Sequence, residues 1–117
     1  MKLKMVIGEE SFGVELIDNP TSKSFIKLLP LTLDFEDYHN IEKIVVLSNK
    51  LSRDDSPSGC EANKGAFTYY APWGNLALFY KDFGYAPGLI RMGEIEEKGV
   101  QILSSLSTFS AHISLID

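Results

Sequence analysis

Arg91 is the residue whose type and position in this sequence most favour a binding role. It lies within the apolar segment Leu89–Ile95, which has the pattern of a strand, and apolar residues share its face. A guanidinium group on a partly apolar surface binds a carboxylate or a polarised carbonyl through two parallel hydrogen bonds. The alternative is structural: Arg91 pairs with Asp82, Glu94 or a loop carboxylate, or is simply solvated.

Aromatic side chains with polar tips surround an Ala-Pro-Trp-Gly corner at residues 71–74. Tyr70 precedes this corner, Trp73 is the only tryptophan of the chain, and Asn75 follows. Such rings at the rim of a cleft are good anchors for peptides or small apolar ligands. The alternative is that Tyr70 and Trp73 brace the corner by packing over Pro72. Together with Arg91 they make the predicted ligand-binding set: Tyr70, Trp73, Asn75 and Arg91.

The acidic residues form no catalytic or metal-binding pattern. Asp54 and Asp55 lack the spaced oxygen ligands and the terminal bidentate glutamate of a calcium loop. Asp34, Glu36 and Asp37 are close in sequence, but nothing in the pattern separates them into an acid and a base. We therefore expect no metal ion and no acid–base pair among these residues.

The histidines and the cysteine are isolated. His112 lies between Ser110 and Ser114 on one face of the last apolar segment, but no orienting acid and no nucleophile motif accompany it. His39 lies in a polar segment, and two separate histidines make no metal site. Cys60 is at most a labile thiol. We expect no cofactor, and the sequence identifies no catalytic residue.

Composition and charge exclude several classes of function. The chain has 117 residues, which is the length of one domain (1–117), and its net charge is −5 with eleven scattered basic residues. Nucleic-acid binding needs clustered lysine and arginine, so we expect no such partner. No apolar run approaches the roughly 20 residues of a membrane span, and no signal peptide is visible. We therefore expect no membrane partner and a cytoplasmic location.

Apolar patterning predicts the strands that position these side chains. Ile44–Leu47 is apolar throughout, which predicts a strand covered on both faces. The eight predicted strands are Lys2–Ile7, Ser11–Leu16, Leu31–Glu36, Ile44–Leu47, Ala66–Tyr70, Asn75–Tyr80, Leu89–Ile95 and Phe109–Leu115.

Two short helices and three irregular segments complete the prediction. The first helix takes Asp18 or Asn19 as its N-cap and ends before Pro30; the second follows a turn at residues 96–99. Residues 37–40 are predicted as a loop and residues 84–88 as a corner. The long polar segment 48–63 is predicted to be irregular, and a loop of that length is either functional or mobile.

Eight strands with short, mostly antiparallel connections predict a sheet that closes on itself, because closure leaves no exposed edge. Two short helices are too few to cover an open sheet of that size, and they suit caps on the two mouths of a barrel. The predicted fold class is mainly β: a closed eight-stranded β-barrel with two short capping helices. The three strands within residues 65–95 are expected at its centre.

Five segments of the sequence together resemble the bacterial cyclophilin-like domain family. This resemblance implies a cyclophilin-like β-barrel and no established common activity. The Phe-His-Arg and Phe-Met-x-Gln-Gly-Gly-Asp signatures of peptidyl-prolyl isomerases do not occur here. No catalytic residue of those enzymes is therefore carried over. The segments are Leu16–Asn19, Leu29–Leu33, Glu42–Lys43, Asn75–Lys81 and Arg91–Ile95.

Three functions follow as hypotheses. The first is a binding module that holds a short peptide or small molecule in a side cleft near Tyr70, Trp73, Asn75 and Arg91. The second is a prolyl isomerase in which Arg91 assists rotation about the amide bond. The third is a non-catalytic interaction or oligomerisation domain. The sequence decides neither whether the protein is an enzyme nor its oligomeric state.

Overall fold

The computed structural model describes residues 1–116; Asp117, the last residue of the predicted domain, lies outside the described residues. The strands are β1 Lys2–Ile7, β2 Glu10–Leu16, β3 Leu31–Tyr38, β4 Glu42–Val46, β5 Gly59–Ala62, β6 Ala66–Tyr70, β7 Asn75–Phe79, β8 Gly84–Pro87, β9 Leu89–Ile95 and β10 Phe109–Leu115. The helices are α1 Pro20–Ile26 and α2 Glu97–Ser104.

Eight strands close into one barrel in the order β1-β10-β3-β4-β7-β6-β9-β2. Every neighbouring pair in this order is antiparallel. A barrel of eight strands is just wide enough for side chains to fill its interior. Met5, Leu76, Leu78 and Met92 point inward and are fully buried. The predicted closed eight-stranded barrel is confirmed.

The two helices close opposite ends of the barrel. Helix α1 follows the end of β2 and helix α2 follows the end of β9, and these two strands are antiparallel neighbours. Phe25 of α1 and Leu103 of α2 are both fully buried in the barrel core. Asn19 is the N-cap of α1, where its side chain accepts a hydrogen bond of 2.8 Å from the Ser22 amide. The predicted capping helices are therefore confirmed.

A second, two-stranded sheet lies against the outer wall of the barrel. Its two strands, β5 and β8, pair with each other. Strand β5 lies in segment 48–63, which was predicted to be irregular, and β8 lies in segment 84–88, which was predicted to be a corner. Both predictions were therefore wrong in part. This sheet covers the outward residues of β6 and β7, and its Ala62 packs with Ala66, Ala77, Phe79 and Leu89 in a separate apolar cluster. Strands β6 and β7 are consequently buried on both faces.

The strand predicted to be covered on both faces was β4, and this prediction was wrong. Val46 is 67% exposed, and Ile44 and Val45 are only partly buried. The predicted loop at 37–40 also begins too early, since Asp37 and Tyr38 belong to β3. Similarly, residues 97–99 form the first turn of α2 rather than a preceding turn.

The first part of the long segment, residues 48–58, is fixed by contacts to the barrel and to α1. Leu51 is buried in the barrel core, and its amide donates a hydrogen bond of 3.2 Å to the Tyr69 hydroxyl. The Thr21 hydroxyl donates to the Ser52 carbonyl at 2.6 Å. The segment therefore supports one mouth of the barrel.

Candidate functional site

A groove of about 410 Å³ runs along the outer wall of the barrel, between its strands and the two-stranded sheet. Its floor consists of outward-facing residues of β4, β6, β7 and β9, and β8 supplies one side. The volume falls in the range of small-molecule sites. Its lining residues are Tyr38, Glu42, Ile44, Tyr70, Trp73, Asn75, Phe79, Phe83, Tyr85, Ala86, Pro87 and Leu89.

Strand register places the groove side chains next to one another. Glu42 is the pairing partner of Tyr38 on one side and of Phe79 on the other. Tyr70 is the partner of Asn75 across the hairpin of β6 and β7. Partner residues in a sheet project from the same face with Cβ atoms about 5 Å apart. The groove thus contains two polar groups, Glu42 and Asn75, each beside a tyrosine.

The corner between β6 and β7 presents Trp73 to the groove. Gly74 adopts a φ of +68°, which glycine tolerates, and its amide donates a 2.9 Å hydrogen bond to the Tyr70 carbonyl. The indole lies perpendicular to two tyrosines, with ring centroids 5.4 Å from Tyr70 (83°) and 6.1 Å from Tyr38 (88°). Trp73 is nevertheless 57% exposed. The corner therefore holds the indole in place without burying it.

Asn75 is the polar group at the base of the groove and is only 2% exposed. Its Nδ2 donates a 2.8 Å hydrogen bond to the Leu76 carbonyl. Its Oδ1 accepts no hydrogen bond from any group of residues 1–116. A buried acceptor without a donor costs about 1–3 kcal/mol. Asn75 Oδ1 is therefore an unsatisfied acceptor in the lining of the groove, covered from solvent by its neighbours.

Glu42 is an ionisable group within an apolar part of the groove. Burial beside Phe79 and Ile44, together with the nearby negative charge of Asp37, raises the pKa of Glu42 to about 7. The carboxyl group is thus poised between its neutral and charged forms at neutral pH. Sequence reasoning missed this residue, because both causes depend on tertiary contacts.

Asp37, Lys43 and Tyr80 form a buried polar network on the inner side of the same strands. Lys43 is fully buried and donates to Asp37 Oδ1 at 3.0 Å, as well as to the carbonyls of Leu106 and Ser107. Burial raises the pKa of Asp37, but hydrogen bonds from Tyr80, Lys43 and the Asn40 amide outweigh it, and the net pKa is lowered.

The Tyr80 hydroxyl donates a short hydrogen bond to Asp37 Oδ1. Burial and the Asp37 carboxylate raise the pKa of Tyr80 to about 12. The network links β3 and β4 to the connection between α2 and β10. Each side chain of this network has a hydrogen-bond partner within the network. We therefore infer that the network holds the barrel mouth closed rather than binds a ligand.

Arg91, the fourth predicted ligand-binding residue, does not line the groove. It projects from the outer face of β9, where its guanidinium binds the Glu94 carboxylate. It also donates to Asn63 Oδ1 at 3.0 Å and lies 3.5 Å from the Glu61 carbonyl. Arg91 therefore connects the barrel to the end of β5, and the structure brings together only Tyr70, Trp73 and Asn75 of the predicted set.

The weaker candidates lie apart from the groove lining. His112 is exposed on β10, and its Nδ1 lies 3.0 Å from the Thr32 hydroxyl. Cys60 is half-buried in β5, and burial raises the pKa of its thiol although Arg91 acts in the opposite direction. Asp54 is exposed in a turn. Within residues 1–116, no three His, Cys, Asp or Glu side chains gather as metal ligands.

A second depression, of about 540 Å³, lies between the end of β9 and helix α2. Its lining is about equally polar and apolar, and its polar members include Glu94, Glu96, Glu97 and Gln101. Glu96 accepts a 2.8 Å hydrogen bond from the Gly13 amide, which ties the start of α2 to β2. These side chains have structural partners or face solvent, so the groove is the better candidate.

The fold and the site together define a class of protein: a small closed barrel whose mouths are blocked by helices and whose accessible groove lies on the outer wall. The model of the Cyclophilin-like family matches residues 5–115 of the chain. The chain therefore belongs to the cyclophilin-like family, and the resemblance noted in the sequence is confirmed.

Among solved structures, the chain is similar to the solution structure of the hypothetical protein AF2241 from Archaeoglobus fulgidus. The TM-score is 0.64 at 17% identity, and the match covers 97% of this chain and 93% of that one. At this identity the similarity shows the fold alone. No curated protein matches the chain. Among the described residues there is no helix with the length and apolar content needed to cross a membrane.

Proposed function

We propose that the groove is a binding site for a short peptide or a small molecule. The observation that carries this proposal is Asn75 Oδ1, a buried acceptor without a donor among residues 1–116, at the base of a groove lined with aromatic rings. Trp73, Phe83 and Tyr85 supply the rim and are each more than half exposed. Large rings around a few placed polar groups are typical of small-ligand sites.

Protein-observed NMR with a library of small amides and dipeptides tests this function. We expect binders to shift the Trp73 indole N–H and the Asn75 side-chain amide. The double variant Trp73→Ala/Phe83→Ala should weaken binding about tenfold or more, because it removes two anchoring rings. Ile17→Ala, at a 44% exposed position outside the groove lining, is the control and should leave binding unchanged. A library without any shift in the groove would refute the proposal.

A second candidate function is an interaction or oligomerisation module. It is favoured by the exposure of Trp73, Phe83 and Tyr85 on the rim of the same groove, since contiguous exposed apolar side chains mark interaction sites. Light scattering distinguishes the two candidates. A dimer that dissociates in the Trp73→Ala/Phe83→Ala variant favours the module, whereas a monomer that binds small ligands favours the first function.

The prolyl isomerase hypothesis relied on Arg91, and the position of this residue adds no support. Its guanidinium is bound to Glu94 and Asn63 rather than directed into the groove. The hypothesis stays a prediction that a protease-coupled proline-peptide assay tests. Rates equal to those of the uncatalysed control would remove it.

A further inference from the structure

The groove contains both aromatic rings and a carboxyl group, that of Glu42. Trp73 packs edge-to-face with Tyr38 and with Tyr70, and all three rings lie in the lining of the groove. Glu42 is the strand partner of Tyr38 and lines the same groove. The faces of aromatic rings attract cations, and the attraction grows when the cation is desolvated.

We propose that the groove binds a small organic cation with a methylated ammonium group, held by Tyr38, Tyr70 and Trp73 and neutralised by Glu42. A hydroxyl or amide donor on the same ligand would bind Asn75 Oδ1, which has no other donor among residues 1–116. This inference rests on the proposed binding function of the groove and names the class of its ligand.

A methylated ammonium group is favoured over a primary ammonium group because the groove offers few hydrogen-bond acceptors. A primary ammonium has three N–H donors and is strongly hydrated, so it would need several acceptors to replace its water. Besides Glu42, Asn75 Oδ1 and the tyrosine hydroxyls, the groove lining consists of apolar groups such as Ile44 and Leu89. A methylated ammonium has a positive charge but an apolar surface, and it therefore matches this lining.

The charges around the corner also favour a cation. Asp37, adjacent to Tyr38 on β3, adds negative charge near Glu42. The ammonium of Lys43 lies on the inner side of β4 and is paired with Asp37, so it offsets part of that negative charge. His39 packs edge-on against Tyr38, with ring centroids 4.2 Å apart. The net charge of −5 attracts cations over longer distances as well.

Titration of the Trp73 fluorescence with two molecules of equal shape tests the inference. Choline has a quaternary ammonium and a hydroxyl; 3,3-dimethylbutan-1-ol has the same shape and hydroxyl but no charge. We expect choline to change the fluorescence saturably and to bind about tenfold or more tightly than the alcohol. Trp73 is the only tryptophan, so the signal reports on the groove.

Two charge-neutralising variants locate the source of the preference. Glu42→Gln keeps the shape of the side chain and should reduce the preference for choline to about twofold or less. Glu9→Gln, in the exposed turn between β1 and β2, likewise replaces one carboxyl group by an amide and should keep the preference. Far-UV circular dichroism establishes that both variants are folded.

The outcomes separate this inference from the function on which it rests. Equal binding of choline and the alcohol would overturn the cation inference while the groove remains a binding site. An equal loss of preference in both variants would assign the effect to net charge and also overturn it. If neither molecule binds, the inference fails, and the NMR library independently decides whether the groove binds anything.

Discussion

At the scale of single residues, groove side chains differ in how much they contribute to folding. Trp73 contacts two tyrosines yet is 57% exposed, whereas Tyr69 on the inner face of β6 is 1% exposed. Hydrophobic stabilisation follows the apolar area removed from water. Trp73 therefore removes a smaller fraction of its apolar surface from water than Tyr69 does, and much of its ring remains exposed.

We expect Trp73→Ala to lower the free energy of unfolding by less than about 1 kcal/mol. Tyr69→Ala is the contrasting variant and should cost about 3 kcal/mol or more, because it leaves a cavity in the core. Urea denaturation followed by circular dichroism measures both. A Trp73→Ala loss as large as that of Tyr69→Ala would show that the indole braces the corner.

Glu42 makes stability depend on pH. Its pKa is about 7 in the folded protein, against an ordinary value of 4.5. Between these values the folded state holds a proton that the unfolded state has released. Stability therefore falls as the pH rises from the ordinary value through the folded-state pKa.

Glu42→Gln replaces the ionisable carboxyl group by a neutral amide. The variant should therefore be more stable than the parent at pH 8, where Glu42 is charged, but not at pH 4, where Glu42 is protonated. A shift from 4.5 to about 7 corresponds to about 3 kcal/mol, and we expect about 1–2 kcal/mol because the side chain is partly solvated. Thermal melts at both pH values measure the difference, with Glu9→Gln as the matched control. An identical difference at pH 4 and pH 8 would contradict the expectation.

At the scale of elements, the two-stranded sheet shapes the groove but lacks the continuity of the barrel. Strands β5 and β8 have four residues each and pair only with each other, whereas each barrel strand has two neighbours. At Gly59 the two strands approach so closely that an added Cβ would lie 2.5 Å from the Ala86 carbonyl oxygen. Short strands with few partners open most readily.

We therefore expect hydrogen exchange to show lower opening free energies for amides of β5 and β8 than for those of β6 and β7. Gly59→Ala should increase exchange in the small sheet by about tenfold or more and leave the barrel largely protected, because the Cβ separates β5 from β8. Gly8→Ala is the control for a destabilising glycine substitution far from the small sheet: the space around Gly8 is open, but its φ of +60° strains an alanine. Uniform protection of both sheets would show that they unfold as one unit.

The sequence predicted the barrel elements better than the small sheet, for physical reasons. Apolar and polar residues alternate in β1 and β10, which indicates that one face of each strand is buried. A one-residue shift of register would turn the apolar residues to the other face, so the pattern fixes the pairing. The Gly84–Pro87 segment contains glycine and proline, which are typical of turns, and its pairing with β5 brings together residues far apart in the chain.

The candidate site was predictable in part. Trp73 and Tyr70 were recognisable because ring type and the adjacent corner are local features. Glu42 was not, because its raised pKa arises from burial and from Asp37 in another strand. Glu94, the carboxylate that binds Arg91, was one of several partners named in the structural alternative, and the sequence could not choose between that alternative and ligand binding.

At the scale of the whole molecule, the Asp37–Lys43–Tyr80 network fastens one mouth of the barrel. Lys43 binds the carboxylate of Asp37 in β3 and two carbonyls between α2 and β10, so a single ammonium joins three parts of the chain. A buried ion pair contributes little over an apolar pair, but removal of one member leaves the other charge unpaired.

Lys43→Met should therefore lower the free energy of unfolding by about 3 kcal/mol or more. Lys23→Met is the matched control, since Lys23 is 64% exposed and makes a surface ion pair with Asp18; we expect a loss within about 0.5 kcal/mol. Urea midpoints measure both. Similar small losses would show that the network is not needed to hold the mouth closed.

Strand alternation divides the wall of the barrel between two tasks. On β4, Lys43 and Val45 face the interior while Glu42 and Ile44 face the groove. Substitutions at the groove-facing positions would thus change the surface that a ligand contacts and leave the packing of the barrel interior unchanged. A small library of variants at these outward-facing positions would therefore give barrels that differ in the surface of the groove and share one interior.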